Sequence, residues 1–90
     1  MLEQKITITN SLGLHARAAS QLVKVANKFE SSIRLNRVDT SMFADAKSIL
    51  NILTLAASKG TELILVVEGA DENAAMESIV ALFENGFGEM

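Results

Sequence analysis

The hydrophobic period of this 90-residue chain switches several times between about 2 and about 3.6 residues, which marks a mixed α/β domain. Leu2 to Thr9 alternates, with Leu2, Gln4, Ile6 and Ile8 on one face, and reads as a half-buried strand. Asn10-Ser11-Leu12-Gly13 is turn chemistry and ends it. From about Ala16 to Lys28, Ala19, Leu22, Val23, Ala26 and then Phe29 step at helical spacing. Strands follow at Ser32 to Val38 and, shorter, at Met42 to Ala44, with Asp39-Thr40-Ser41 as the turn between them. Ser48 opens an unusually apolar helix that Gly60 is expected to stop. Thr61 to Glu68 is a nearly continuous apolar run between glycines, hence a central strand. Asp71 is expected to cap a last helix buried through Ala75, Ile79, Leu82 and Phe83 and ended by Gly86. The order β-α-β-β-α-β-α predicts an α+β open-faced sandwich, a four-stranded antiparallel sheet with three helices on one face. Ninety residues leave little room for a second core, so 1–90 is expected to be one domain.

Composition removes most functional classes. Without Cys there is neither a disulfide framework nor a thiolate zinc site, and a single His among scattered carboxylates is a poor metal cluster. No metal or cofactor is expected. A net charge of −3 and a pI of about 5.0 provide no electrostatic footprint for nucleic acid. The four aromatic residues are all Phe, which removes most base-stacking platforms and disfavours an RNA-binding α+β domain. No apolar run reaches the ~18 residues of a membrane span, and Met1 to Lys5 does not read as a signal peptide, so a cytoplasmic protein is expected.

The one place for chemistry is the lone His15, directly after a glycine turn and directly before the first helical stripe. No Ser, Thr, Asp or Asn stands at positions 12 to 16, so His15 is expected at the N-cap or beside it. Unpaired N–H donors and the positive end of the helix dipole converge there, which suits an anion. Arg17 adds a guanidinium fork for phosphate oxygens. The same positive environment is expected to hold the imidazole neutral and nucleophilic. A lone His, a helix start and one Arg suffice for a reversible phosphohistidine. A hydrolase would need a nucleophile–base pair or a metal, and no matching partner stands near His15 in the sequence.

Gly13-Leu14-His15-Ala16-Arg17 resembles the phosphorylation-site signature of the HPr family, the histidine phosphocarriers of the bacterial phosphoenolpyruvate-dependent sugar phosphotransferase system. Ala46-Lys47-Ser48-Ile49-Leu50, with Leu53 and Leu55 behind it, resembles the family's second signature. Lys59-Gly60-Thr61-Glu62 and Gly69-Ala70-Asp71-Glu72 resemble later landmarks, so the likeness covers essentially the whole chain. It implies that His15 accepts phosphate on Nδ1 from phosphorylated enzyme I and passes it to a sugar-specific enzyme IIA, with Arg17 contacting the phosphoryl group. Such a protein is a carrier and not an enzyme by itself; the family expectation is a monomer. The family often has Pro where Ala18 stands, which is expected to loosen the first helical turn slightly. The segment before Ala46 is about two residues longer than in common members, so strand boundaries between Asp39 and Asp45 stay open.

Ser48 before an apolar run is an ordinary N-cap. The resemblance adds a regulatory role, phosphorylation by HPr kinase/phosphorylase. Ile52, Leu53 and Leu55 are assigned to the core, yet a short helix on a small domain is covered on one side only. Some of Ile49, Leu50 and Leu53 are therefore expected to form an exposed apolar patch. By resemblance, Ile49 and Leu50 with Arg17 and Lys24 form the docking face for enzyme I and IIA domains, a contact at the small, transient end of interface sizes. The alternative is a regulatory paralogue in a nitrogen-related phosphotransferase chain, which would carry the same His15. A purely structural homo-oligomer leaves the placement of His15 and Arg17 unexplained.

Overall fold

The computed structural model describes residues 1–89; position 90, the last of the expected domain, lies outside the described residues. Strands and helices follow one another as β1 (Leu2–Thr7), α1 (Ala16–Ala26), β2 (Ser32–Arg37), β3 (Phe43–Asp45), α2 (Ile49–Thr54), β4 (Glu62–Glu68) and α3 (Glu72–Glu84). A 3-10 turn over Gly86–Gly88 comes after α3. The sheet order is β1-β4-β2-β3, with every neighbouring pair antiparallel, so the expected open-faced α+β sandwich is the observed one.

Register explains which face is buried. Ile6 lies opposite Leu63, Ile33 opposite Val67, and Leu35 opposite both Leu65 and Ala44, so these side chains share one face of the sheet. They join Ala19 and Leu22 of α1, Ile52 of α2, and Ile79 and Phe83 of α3 in one hydrophobic core. On the other face Lys5, Arg34, Phe43 and Asp45 are exposed, as a one-sided antiparallel sheet allows. The apolar run of β4 belongs to an interior strand, and even its outward Val66 is only 8% exposed.

Three local expectations are corrected. β1 stops at Thr7, two residues short, and Ile8 instead exchanges backbone hydrogen bonds with Thr61 (3.0 Å) and Gly60 (2.8 Å) at the start of β4. The helix after Ser48 does not reach Gly60: it ends at Thr54, and Ala56 turns into the left-handed region at φ +48°. The carbonyls just past its end are taken by a distant side chain, since Arg37 Nη1 donates to Leu55 O (2.6 Å) and Ala56 O (3.1 Å). Asp71 occupies the N-cap position of α3 without capping it. Its carboxylate instead accepts from the backbone N–H groups of Glu30 and Ser31, each at 2.9 Å, and from the Ser31 hydroxyl, tying the start of α3 to the α1–β2 connection.

Those bonds, the Ser31 hydroxyl first and the Glu30 N–H next, hold the Asp71 carboxyl below its usual range. A depressed folded-state pKa adds stability above the ordinary carboxylate pKa, and this is lost as pH falls through the lower folded value. Asp71→Asn is therefore expected to be less stable than the parent at neutral pH. Denaturant titrations across the acid limb should show the gap between the two proteins narrowing as pH falls.

Candidate functional site

The loop after β1 carries the chain to α1 through two backbone constraints. Gly13 has φ +65°, and a Cβ there would lie 2.4 Å from the carbonyl oxygen of Ala57, so only glycine fits. One residue on, the Leu14 N–H donates to that same oxygen at 2.8 Å while its side chain enters the core. The chain is thus pinned immediately before His15. His15 is the N-cap of α1, with extended backbone (φ −81°, ψ −179°), and its carbonyl accepts the first helical bond from Ala19 N–H at 2.8 Å. Its side chain makes no capping bond, so the N–H groups of Ala16, Arg17 and Ala18 have no intrahelical acceptor. The imidazole is left free for something other than the helix.

That ring is 27% exposed and hydrogen-bonds through Nε2 to Glu89 Oε2 at 2.7 Å. The other carboxylate oxygen, Glu89 Oε1, accepts from Asn10 Nδ2 at 2.9 Å, and the same amide donates to Gly13 O at 2.9 Å. Asn10 is fully buried. Its donation, helped by His15 and by the charge of Arg17, holds the Glu89 carboxyl below the usual glutamate range against the opposing effect of desolvation. Nδ1 of His15 has no hydrogen-bond partner among the described residues.

Glu89 reaches the ring because the segment after α3 coils back on the core. Gly86, Phe87 and Gly88 all take left-handed φ, at +59°, +56° and +73°. For a bulky Phe this costs on the order of 1–3 kcal/mol, which the surroundings must offset. They do so by burial: Phe87 is 3% exposed and meets the Phe83 ring edge-on at 4.9 Å between centroids. Reading the sequence missed both Asn10 and Glu89 as site residues. The available signal was a single Phe between two glycines just past α3, the mark of an anchored turn.

The remaining candidates divide by position. Arg17 and Lys24 are exposed on α1, and neither makes a salt bridge among the described residues. Ser48 is the N-cap of α2, its Oγ accepting from Asn51 N–H at 3.2 Å. Ile49, Leu50 and Leu53 are 39%, 78% and 37% exposed, whereas Ile52 and Leu55 are buried. The outward patch expected on α2 is therefore present, and Leu53 belongs to it and not to the core. α1 packs against α2, which brings the two helices that carry these residues together.

The open-faced α+β sandwich thus places one histidine at a helix start without a side-chain capping bond, two residues before an arginine that makes no salt bridge among the described residues. The family described as "PTS HPr component phosphorylation site" matches residues 2–85. The phosphocarrier protein HPr of Xylella fastidiosa (strain Temecula1) is 45% identical over 99% of this chain and 98% of its own. That of Pseudomonas aeruginosa is 46% identical over 94% and 93%. Among solved structures, HPr of Thermoanaerobacter tengcongensis superposes with a TM-score of 0.92 at 41% identity, covering 100% of this chain and 99% of that one. The chain belongs to the HPr family of the phosphotransferase system, whose named members are phosphocarriers.

Phe87→Ala removes the anchor of the segment that carries Glu89. It is expected to destabilise the fold by about 3 kcal/mol, measured by urea unfolding, the usual cost of truncating a buried Phe. The His15 ring resonances should shift with it, since the bond to Nε2 loses its support.

Proposed function

We propose that this chain accepts a phosphoryl group on Nδ1 of His15 from phosphorylated enzyme I and passes it to enzyme IIA domains in the cytoplasm, as a carrier without turnover of its own. The observation that supports this most is the division of labour on the ring: Nε2 is held by Glu89, and Nδ1 has no partner among the described residues at a helix start without a side-chain cap bond. In acceptance the Nδ1 lone pair forms the N–P bond, and the donor's bond to phosphorus breaks with its electron pair returning to the donor. Delivery to IIA is the same step reversed in roles. Every residue invoked lies on one chain, so one copy suffices.

The phosphoryl oxygens have two sources of positive charge. The free N–H groups at the start of α1 contribute about 0.3–1 kcal/mol through the helix terminus. A charge-assisted bond from Arg17 contributes about 1.5–3 kcal/mol, so the arginine outweighs the helix start. Lys24 with the outward Ile49, Leu50 and Leu53 provides a face of mixed charge and apolar surface against which both partners dock.

Mass spectrometry after mixing with enzyme I and phosphoenolpyruvate is expected to show an acid-labile phosphate on the parent protein and none on His15→Ala. A phosphate on the variant would place the acceptor elsewhere and end the proposal. Arg17→Ala should stay folded and accept phosphate about tenfold more slowly or worse, the equivalent of losing one charge-assisted bond.

Ser48 is proposed as a second, regulatory phosphorylation site for an HPr kinase/phosphorylase. Its hydroxyl caps α2 next to Ile49 and Leu50, so a phosphate there sits at a helix start that tolerates it while adding negative charge beside the docking face. Protein phosphorylated at Ser48 is expected to accept phosphate from enzyme I more slowly than the unmodified chain in a stopped-flow comparison. Equal rates would remove the regulatory role.

A further inference from the structure

The bonds around Glu89 determine which nitrogen of His15 carries the proton. Asn10 Nδ2 has two N–H bonds, and both are used, one on Gly13 O and one on Glu89 Oε1. The amide cannot turn over, because its oxygen would then face the Gly13 carbonyl. Position 89 must therefore present an acceptor to Asn10. The Glu89 carboxyl is held below the usual range and is ionised at neutral pH, so its second oxygen is also an acceptor and nothing else. That oxygen lies 2.7 Å from His15 Nε2, which must then be the donor. In the neutral ring a proton on Nε2 leaves the lone pair on Nδ1.

We propose that Glu89 is a positioning residue that fixes His15 in its Nε2-protonated tautomer through the buried Asn10 amide, keeping Nδ1 as the nucleophile for phosphoryl transfer. The inference deepens the proposed function and rests on it for the meaning of Nδ1, but the tautomer itself is independent of any partner. It has a second consequence once the N–P bond has formed. The neutral ring gave its Nδ1 lone pair, so the product ring is formally positive and still holds its Nε2 proton. Glu89 faces that charge through the same hydrogen bond. The ring keeps the proton and leaves as neutral imidazole when the phosphoryl group moves on.

Substitution by glutamine separates this role from a packing role. In Glu89→Gln the new side chain keeps the shape of glutamate but offers one oxygen and one amide NH2. Asn10 claims the oxygen, so the NH2 would point at Nε2 and require an acceptor there. The proton would move to Nδ1, and the nucleophilic lone pair would be lost from the reacting side. Alanine removes both bonds and leaves the ring to its intrinsic mixture of tautomers. A merely structural Glu89 predicts that the isosteric Gln is milder than Ala; tautomer control predicts the reverse.

The chain has one histidine, so a two-bond 15N–1H correlation spectrum of the full-length labelled protein, recorded above the titration range of the ring, reports His15 alone. The parent is expected to carry its proton on Nε2, Glu89→Gln on Nδ1, and Glu89→Ala on a mixture of the two. Phosphate acceptance from enzyme I should fall in the order parent, Glu89→Ala, Glu89→Gln, with the last about 10–100-fold below the parent, the usual cost of losing a histidine's orienting partner. A parent ring protonated on Nδ1 overturns the inference even if both variants fail to fold. So does a Gln variant that keeps the parental tautomer, or one that outpaces Ala. If the tautomers follow the prediction and no form accepts phosphate, tautomer control stands and the carrier reading falls.

Discussion

The buried stripe of α1 is made largely of alanine, and that choice fixes how closely the helix meets its neighbours. Ala18, Ala19 and Ala26 are fully buried beside Leu22. Short side chains let the helix backbone lie close to α2 and α3, with no rotamer freedom to lose. The approach to α1 is correspondingly tight: the backbone at Gly13 runs so near Ala57 that a single Cβ would collide with its carbonyl. The helix start is therefore positioned by packing and by the Leu14–Ala57 bond, and not by a capping side chain. That is why the N-cap can be a histidine whose ring serves another purpose. Ala18 adds to this. It is the third helical residue, so its N–H has no intrahelical acceptor. Proline, which often stands there in the family, has no N–H, so alanine keeps a backbone donor that proline lacks.

What could be read from the sequence was what short-range periodicity and local propensity decide. The stripe of α1, the interior position of β4 and the outward patch of α2 all follow from which residues repeat at which spacing, and the absence of a conventional cap already located His15. The features that escaped depend on partners far along the chain. The end of α2 is set by Arg37, eighteen residues from Leu55, and by an Ala56 turn that no local rule prescribes. Asp71 has the local pattern of an N-cap, but its carboxylate is drawn to Glu30 and Ser31, about forty residues away in sequence. The Glu89–His15 bond spans 74 positions and depends on three consecutive left-handed residues held down by a buried Phe. Local rules penalise such a turn, and only the packing of Phe87 on Phe83 makes it tenable.

A carrier has to bind its group without keeping it, and on the proposed function the charges around His15 would act in opposition. Arg17 and the free N–H groups of α1 favour a phosphoryl anion on the ring, whereas Glu89 brings negative charge to the far side of the same imidazole. Stabilising the phosphoryl oxygens alone would deepen the carrier's own well and slow delivery, because only interactions stronger in the transition state speed transfer. The carboxylate acts on the ring instead. Under the proposed transfer it would face the positive charge that the imidazole acquires when the N–P bond forms, and would hold the Nε2 proton that makes neutral imidazole the leaving group. It also keeps a negative charge near the bound phosphoryl group, which limits how firmly that group is held. Asn10 makes this arrangement rigid, since a fully buried amide with both N–H bonds committed cannot let the carboxylate swing away without leaving a donor unpaired, a loss of about 1–3 kcal/mol. On the proposed carrier function, the polar bridge beneath the histidine would set the balance between loading and release, while the arginine and helix start would provide the affinity.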